Sequence, residues 1–329
     1  MSLYRGSVLA LGATLFAVLA GTIVFGEAQR ERYSLPLNCA PGEDCFVQKY
    51  VDVDADEGIA DHMCGRMTSP EHTGTDFRIP PGASADVLAV ADGTVRRVRD
   101  GQADRTFVGP LAVPDGVGCG NGLAIEHADG TESLYCHLER GSLRVAQGDT
   151  VARGDPVGHV GASGLTEFRH VHLALRRDGR DIDPFTGHAR GRAACDVPGS
   201  ALWTDEAAEA LAAAEGPHVL ALGFHDRPVT IPAIEDAATV GSVTARSDAL
   251  VAWGLAIAVE AGDVLSLTAD GPGLSVDETH LVDRPQAQTM RFVGRRMREG
   301  VPLGTYRVAL SVSRNGEVMA SRDATLTIR

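Results

Sequence analysis

Along most of this chain apolar residues recur at alternate positions in short runs broken by Gly and Asp, the period of half-buried strands. Residues 87–95 (Val-Leu-Ala-Val-Ala-Asp-Gly-Thr-Val) predict strand, turn, strand. Residues 123–138 predict a hairpin, with Asp129 and Gly130 suited to the positive φ angles of a tight turn. Gly148, Gly154, Gly158, Gly161 and Gly164 then punctuate a series of very short extended pieces. Helical periodicity is almost absent until residues 205–215, an Ala-rich segment with acidic residues in its first turn. Thr204 is placed to cap this helix, and Gly216-Pro217 to stop it. Strand texture resumes afterwards in residues 250–259, 264–268 and 306–313, and Asn315-Gly316 predicts a final hairpin. The pattern divides the chain into a first domain over 33–200, a linker helix over 201–216 and a second domain over 217–329. The second domain has the strand count of an immunoglobulin-like β-sandwich. The expected fold class is mainly β.

The N-terminus changes the picture of where the chain works. Arg5 precedes an uncharged apolar run over residues 7–26, and charge resumes at Glu27. A basic start before an apolar core is the form of an export signal, so residues 1–28 are expected to be a signal peptide or a membrane anchor. Six cysteines follow: Cys39, Cys45, Cys64, Cys119, Cys136 and Cys195. An even number in an exported chain favours disulfides, and six cysteines allow 15 pairings. The pairing we expect is Cys39–Cys45, Cys64–Cys195 and Cys119–Cys136, the last joining two neighbouring strands. The formal net charge of -14 argues against nucleic acid as a partner, since phosphate binding needs clustered Lys and Arg.

Three segments carry candidate chemistry: His72-Thr73-Gly74-Thr75-Asp76, Tyr135-Cys136-His137-Leu138 and His170-Val171-His172. On a strand a His-x-His pair presents both imidazoles on one face, because side chains alternate with period two. His137 faces opposite to Cys136, so one can address a site while the other forms a disulfide. Each segment alone is weak, since a His-x-x-x-Asp spacing also describes an ordinary surface loop and a lone strand histidine is commonly packed or solvated. Asp52, Asp54 and Asp56 imitate the start of a calcium loop, but Glu57 stands where that loop needs Gly and Met63 where it needs Glu. A solvated acidic loop is expected there. His218, His225 and His280 have no ligand spacing and are read as structural.

Taken together, in order and spacing, the segments over residues 71–184 resemble the lysostaphin/LytM-type zinc metallopeptidases of bacterial cell walls. The likeness extends to the stretch at 87–95, the hairpin into Tyr135–Leu138 and the Gly-rich approach to His170. The resemblance implies an antiparallel β-sheet metallopeptidase domain with its active site in a groove over the sheet. It implies Zn2+ held by His72, Asp76 and His172, with His137 and His170 acting in catalysis. Two His and one carboxylate leave a fourth position for water, as catalytic zinc sites do. The activity implied is endopeptidase cleavage of peptidoglycan stem peptides or cross-bridges. Two other readings stay open: a non-catalytic or latent regulator of other wall hydrolases, and a secreted protease acting on Gly-rich peptides. The approach to His170, Glu167-Phe168-Arg169, departs from the family's usual residues, with Glu167 and Arg169 as candidate rim contacts. For the second domain, wall polymer, an envelope protein partner and a cover over the groove are all open.

Overall fold

A computed structural model describes Met1 and residues 32–54, 58–105, 116–191, 195, 197–235 and 243–329. The export signal or anchor expected over residues 1–28 lies outside the described residues (Met1 aside), as does the middle of the acidic loop at 55–57. Among the described residues no helix is long and apolar enough to cross a membrane.

The first domain is built from ten strands: β1 (Phe46–Lys49), β2 (Thr75–Arg78), β3 (Asp86–Leu88), β4 (Gly93–Arg99), β5 (Asn121–Glu126), β6 (Glu132–Leu138), β7 (Thr150–Val151), β8 (Pro156–His159), β9 (His170–Arg177) and β10 (Arg180–Ile182). Seven of them form one antiparallel sheet in the order β1-β2-β9-β6-β5-β4-β7, with β10 continuing alongside β9. Strands β3 and β8 pair separately and bring Val87 and Val157 into the core. Period-two alternation decides the rest. On β9, Val171, Leu173 and Leu175 are fully buried in the core, so His170 and His172 must stand on the opposite, open face. Helix α1 (Asp205–Ala213) is capped by Thr204 and packs Ala207 and Leu211 into this same core, beside Trp203.

The second domain is a sandwich of seven strands: β11 (His218–His225), β12 (Ala249–Val259), β13 (Val264–Gly271), β14 (Leu274–Leu281), β15 (Gln286–Arg296), β16 (Gly304–Arg314) and β17 (Glu317–Ile328). One sheet is β11-β12-β15 and the other β14-β13-β16-β17, an immunoglobulin-like distribution in which the chain switches sheets three times. Leu250, Leu265, Leu267, Tyr306, Val308 and Leu310 fill the space between the sheets. The other face of β12 is also apolar. Trp253, Leu255 and Ile257 pack with Phe46 of β1 and with Ile234 of the short helix α2 (Ile231–Glu235). The two domains therefore share a buried seam.

All three expected disulfides form: Cys39–Cys45, Cys64–Cys195 and Cys119–Cys136. The turn at Asn315-Gly316 has both residues at positive φ, as a tight hairpin requires. The turn at 127–131 differs from expectation. Only Gly130 has positive φ, and Asp129 instead accepts the Thr131 N–H with its carboxylate. The acidic loop also differs. Asp52 is buried rather than solvated, and its carboxylate accepts the backbone N–H groups of Asp54, Ala60 and Glu71. It thereby clasps the loop that delivers His72.

Candidate metal centre and groove

Strand register places the chemistry in two rows across the open face. Lys49, Asp76, His172 and Cys136 are successive cross-strand partners on β1, β2, β9 and β6. One step along, Arg78 of β2 lies directly opposite His170 of β9. Asp76 is 3.1 Å from His72 Nε2, 2.8 Å from His172 Nδ1 and 3.4 Å from His170 Nε2, all measured to its Oδ1. One donor atom from each of His72, Asp76 and His172 lies within 4.8 Å of the others. Bonds of about 2.0–2.1 Å in a tetrahedral zinc site hold ligand atoms about 3.3 Å apart, so the nitrogen, oxygen and nitrogen donors here suit a borderline cation of that kind in type and in the two distances from Asp76. The only other comparable grouping among the described residues, Cys39, Asp44 and Cys45, has both sulfurs committed to a disulfide.

Each imidazole is held by a partner on its far side. A backbone carbonyl can only accept, so the ring nitrogen facing one carries the proton and the other nitrogen keeps its lone pair. His72 Nδ1 donates to the Tyr50 carbonyl at 2.7 Å, leaving Nε2 toward Asp76. His137 Nδ1 donates to the Ser163 carbonyl at 2.8 Å, and His170 Nδ1 is 3.0 Å from the Phe168 carbonyl. Thr166 Oγ1, also 3.0 Å from His170 Nδ1, donates to that same carbonyl. His172 is the exception in type, since its Nε2 faces a hydroxyl, Thr73 Oγ1, at 3.3 Å. Its Nδ1 is the nitrogen turned to Asp76. These orienting groups were not singled out from sequence, because backbone carbonyls leave no trace in residue identity.

The local backbone is shaped for this. His137 has a φ of 66°, a left-handed conformation that a residue with a β-carbon adopts only under constraint; it breaks the strand alternation, so that His137 and Cys136 both line the groove instead of facing opposite ways as expected. The irregularity between β5 and β6 at Asn121–Leu123 accommodates it, and its own N–H donates to the Cys119 carbonyl. Gly74 lets β2 lie against β9. A β-carbon there would stand 2.5 Å from the Leu173 carbonyl oxygen and 2.7 Å from His172 Nε2.

Charge follows geometry. Burial works to raise the Asp76 carboxyl, but His72, then His170, and hydrogen bonds from His170 and His172 outweigh it and hold it well below the ordinary carboxylate range. Burial, with the neighbouring His170 and His172, pushes His137 well below the usual imidazole value. His172 is lowered too, by burial against the opposing pull of Asp76. Both shifts favour the neutral imidazole, the form that can offer a lone pair to a cation.

The centre opens into a groove of about 530 Å³, lined among others by Lys49, Leu134, Glu167 and Arg176. A second hollow of about 330 Å³ continues it, sharing Cys119, Leu134 and Arg176 and adding Arg97 and Arg99. Arg99 bonds to the carbonyls of Gly116 and Gly120, while Arg176 is paired with Asp181. Of the two candidate rim residues, Glu167 lines the groove, whereas Arg169 donates to the Val160 carbonyl and does not line it. Between them Phe168 is buried, with its ring 4.7 Å from that of His170.

Residues 70–184 match Peptidase family M23, so the chain carries a domain of that family. It is 36% identical over 113 residues to the DD-carboxypeptidase/endopeptidase Mpg of Neisseria meningitidis serogroup B, covering 34% of this chain and 22% of that protein. It is 33% identical over 112 residues to the peptidoglycan DD-endopeptidase ShyB of Vibrio cholerae, covering 34% and 22% respectively. Among solved structures it is similar to the catalytic domain of the prophage-encoded M23 protein EnpA from Enterococcus faecalis, at 26% identity, 41% of this chain, 88% of that one and a TM-score of 0.29. The chain thus spans about a fifth of the length of the curated relatives it matches.

Proposed function

We propose that this protein is a zinc-dependent endopeptidase hydrolysing peptide bonds of bacterial peptidoglycan, in the stem peptide or cross-bridge, in the periplasm or cell envelope. The observation that carries the reading is the convergence of His72, Asp76 and His172 on one point, with the free nitrogens of His137 and His170 turned to the same cavity. The relatives named DD-endopeptidase support the substrate class, and the three disulfides suit an oxidising compartment reached by export.

His72 Nε2, Asp76 and His172 Nδ1 would hold the ion. When bound, zinc supplies Lewis acidity to the scissile carbonyl and to an attacking water. The protein's own residues do the rest. The Tyr50 carbonyl keeps the His72 imidazole in the required tautomer, and the Thr73 hydroxyl orients that of His172. His137, neutral and fixed by the Ser163 carbonyl, presents Nε2 as a base for the water's proton. His170 presents Nε2 beside Asp76, where it shares the proton traffic and, once protonated, donates to the oxygen that gains charge. The substrate would lie along the open sheet face. Arg176, four residues beyond His172 on β9 and so about 13 Å away, is placed with Arg99 to meet a carboxylate of the stem peptide.

Digestion of purified sacculi, with products identified by mass, tests the reading. The expected result is release of peptides cut at one defined peptide bond, lost on chelation and restored by zinc. Zinc-loaded protein that releases no product would move the assignment to a regulator of other hydrolases.

A further inference from the structure

The seam between the domains contains a charge pair that the proposed chemistry does not use. Arg78 and Glu235 are both wholly buried, and Arg78 Nη2 donates to Glu235 Oε1. Arg78 Nη1 donates to Gln48 Oε1 at 2.8 Å and to Gln288 Oε1 at 3.0 Å, while Gln48 Nε2 donates to the Ala287 carbonyl at 2.7 Å. Glu235, Ala287 and Gln288 all belong to the second domain. The guanidinium plane is thus set mostly by that domain, although Arg78 itself lies on β2, two residues beyond Asp76.

That guanidinium lies over the Phe168 ring, its carbon 4.4 Å from the ring centroid. Phe168 in turn lies against the His170 ring and supplies the carbonyl that holds His170 Nδ1. Arg78 is also the direct cross-strand neighbour of His170. Docking alone does not account for the ion pair. Phe46 of the first domain already packs into the apolar cluster of Leu220, Ile234, Trp253, Leu255 and Ile257 of the second, and an apolar pair of similar volume often holds a buried seam as well as a desolvated ion pair does. What an apolar pair does not offer is a flat cation, fixed by hydrogen bonds, against an aromatic face.

We infer that the C-terminal sandwich sets the working position of His170, with Arg78 as the positioning residue and Glu235 and Gln288 as the groups that hold it. The inference rests on the reading of His170 as a group acting in peptide hydrolysis. The sandwich is then part of the catalytic unit, placed behind the wall of the groove.

The test uses the full chain loaded with zinc. Replacing the ion pair by an apolar one, Arg78→Met with Glu235→Leu, keeps the seam neutral and should leave the fold and the zinc content intact. We expect kcat on sacculus-derived peptides to fall about ten- to hundredfold, with KM within about twofold, because misplacement of a reacting group acts on turnover. In a Phe168→Leu background the same pair of substitutions should add little, since the path through the ring is already cut. Ring-nitrogen NMR of His170 provides a readout independent of turnover, and its Nδ1–H signal should shift or broaden in the apolar-pair variant. A folded, zinc-loaded variant with wild-type kcat, effects that add in full to Phe168→Leu, or an unchanged His170 ring signal would each overturn the inference. Absence of cleavage by the wild-type protein would instead strike the proposed function, and the NMR arm would still decide whether the sandwich positions His170.

Discussion

At Gly74 the metal centre is sensitive to a single added carbon atom. In Gly74→Ala the new β-carbon would sit 2.5 Å from the Leu173 carbonyl oxygen, 2.8 Å from the Leu173 carbonyl carbon and 2.7 Å from His172 Nε2. Two of these atoms are backbone of β9 and cannot swing aside. Restoring an ordinary contact of about 3.3 Å requires the loop and β9 to part by about 0.8 Å, and overpacking of this kind costs about 1–3 kcal/mol. The strain falls on the ligands themselves. His72 and Asp76 flank the glycine, and His172 would lose the Thr73 hydroxyl that orients it. A displacement near 1 Å at a reacting centre costs about a hundredfold in rate. Metal analysis after dialysis against a weak chelator should find Gly74→Ala depleted while the wild type keeps about one zinc per chain, and kcat/KM should fall about a hundredfold. Gly118→Ala is the control, since its added carbon meets nothing nearer than 3.9 Å and should leave metal retention as it was. If Gly74→Ala binds zinc with wild-type affinity and turns over normally, the claim that close approach of the loop to β9 builds the site is wrong.

Three further outcomes follow from the same geometry. His172→Ala should lose the metal, whereas His137→Ala should keep most of it and lose turnover; metal content measured beside peptide release separates the two roles. Arg176→Glu reverses charge at the far end of the groove and should raise KM for stem peptides at least several-fold with little change in kcat, as expected for a contact made equally in ground and transition states. In the sandwich, burial works to raise the Asp263 carboxyl, but Arg314 and the Glu260 N–H hold it below the ordinary value. A depressed folded pKa means stability present above about pH 4 and lost as pH falls through the lower folded value. Asp263→Asn should therefore lower the unfolding midpoint clearly at pH 7, by an amount that shrinks as the pH is taken below about 4, as followed by thermal melts.

What could be read from sequence, and what could not, divides by the range of the interaction. Strand patterns, the helix cap at Thr204, the Asn315-Gly316 turn and the paired faces of His170 and His172 are local, and period two or a single cap defines them. The five clustered residues were legible through resemblance, since the order and spacing of their segments together are similar to those of a known family although no single spacing is specific. The carbonyls of Tyr50, Phe168 and Ser163 were not, since every residue carries a carbonyl and only the folded path decides which one meets an imidazole. Asp52 was misread for a related reason. Three aspartates at alternate positions look solvated until the fold turns one of them inward to collect three N–H groups.

The seam is the instructive case. Arg78 and Glu235 are 157 residues apart, and neither departs from an ordinary strand or helix-end residue in its own neighbourhood. One local signal was nevertheless present. Strand β12 reads Ala-Leu-Val-Ala-Trp-Gly-Leu-Ala-Ile-Ala-Val with no polar position, whereas a strand of a free-standing sandwich alternates because one face meets water. An unbroken apolar strand must be covered on both faces. One cover of β12 is the sandwich core through Leu250, Ala252 and Ala256; the other, over Trp253, Leu255 and Ile257, is made by Val229 and Ile234 of the second domain itself together with Phe46 of the first. The composition of that strand thus announces a second cover, most of which its own domain supplies and which Phe46 of the first domain completes. It follows that a fragment ending near residue 216 would expose that seam, leave Arg78 with Gln48 alone of its three side-chain acceptors and lose turnover more than metal.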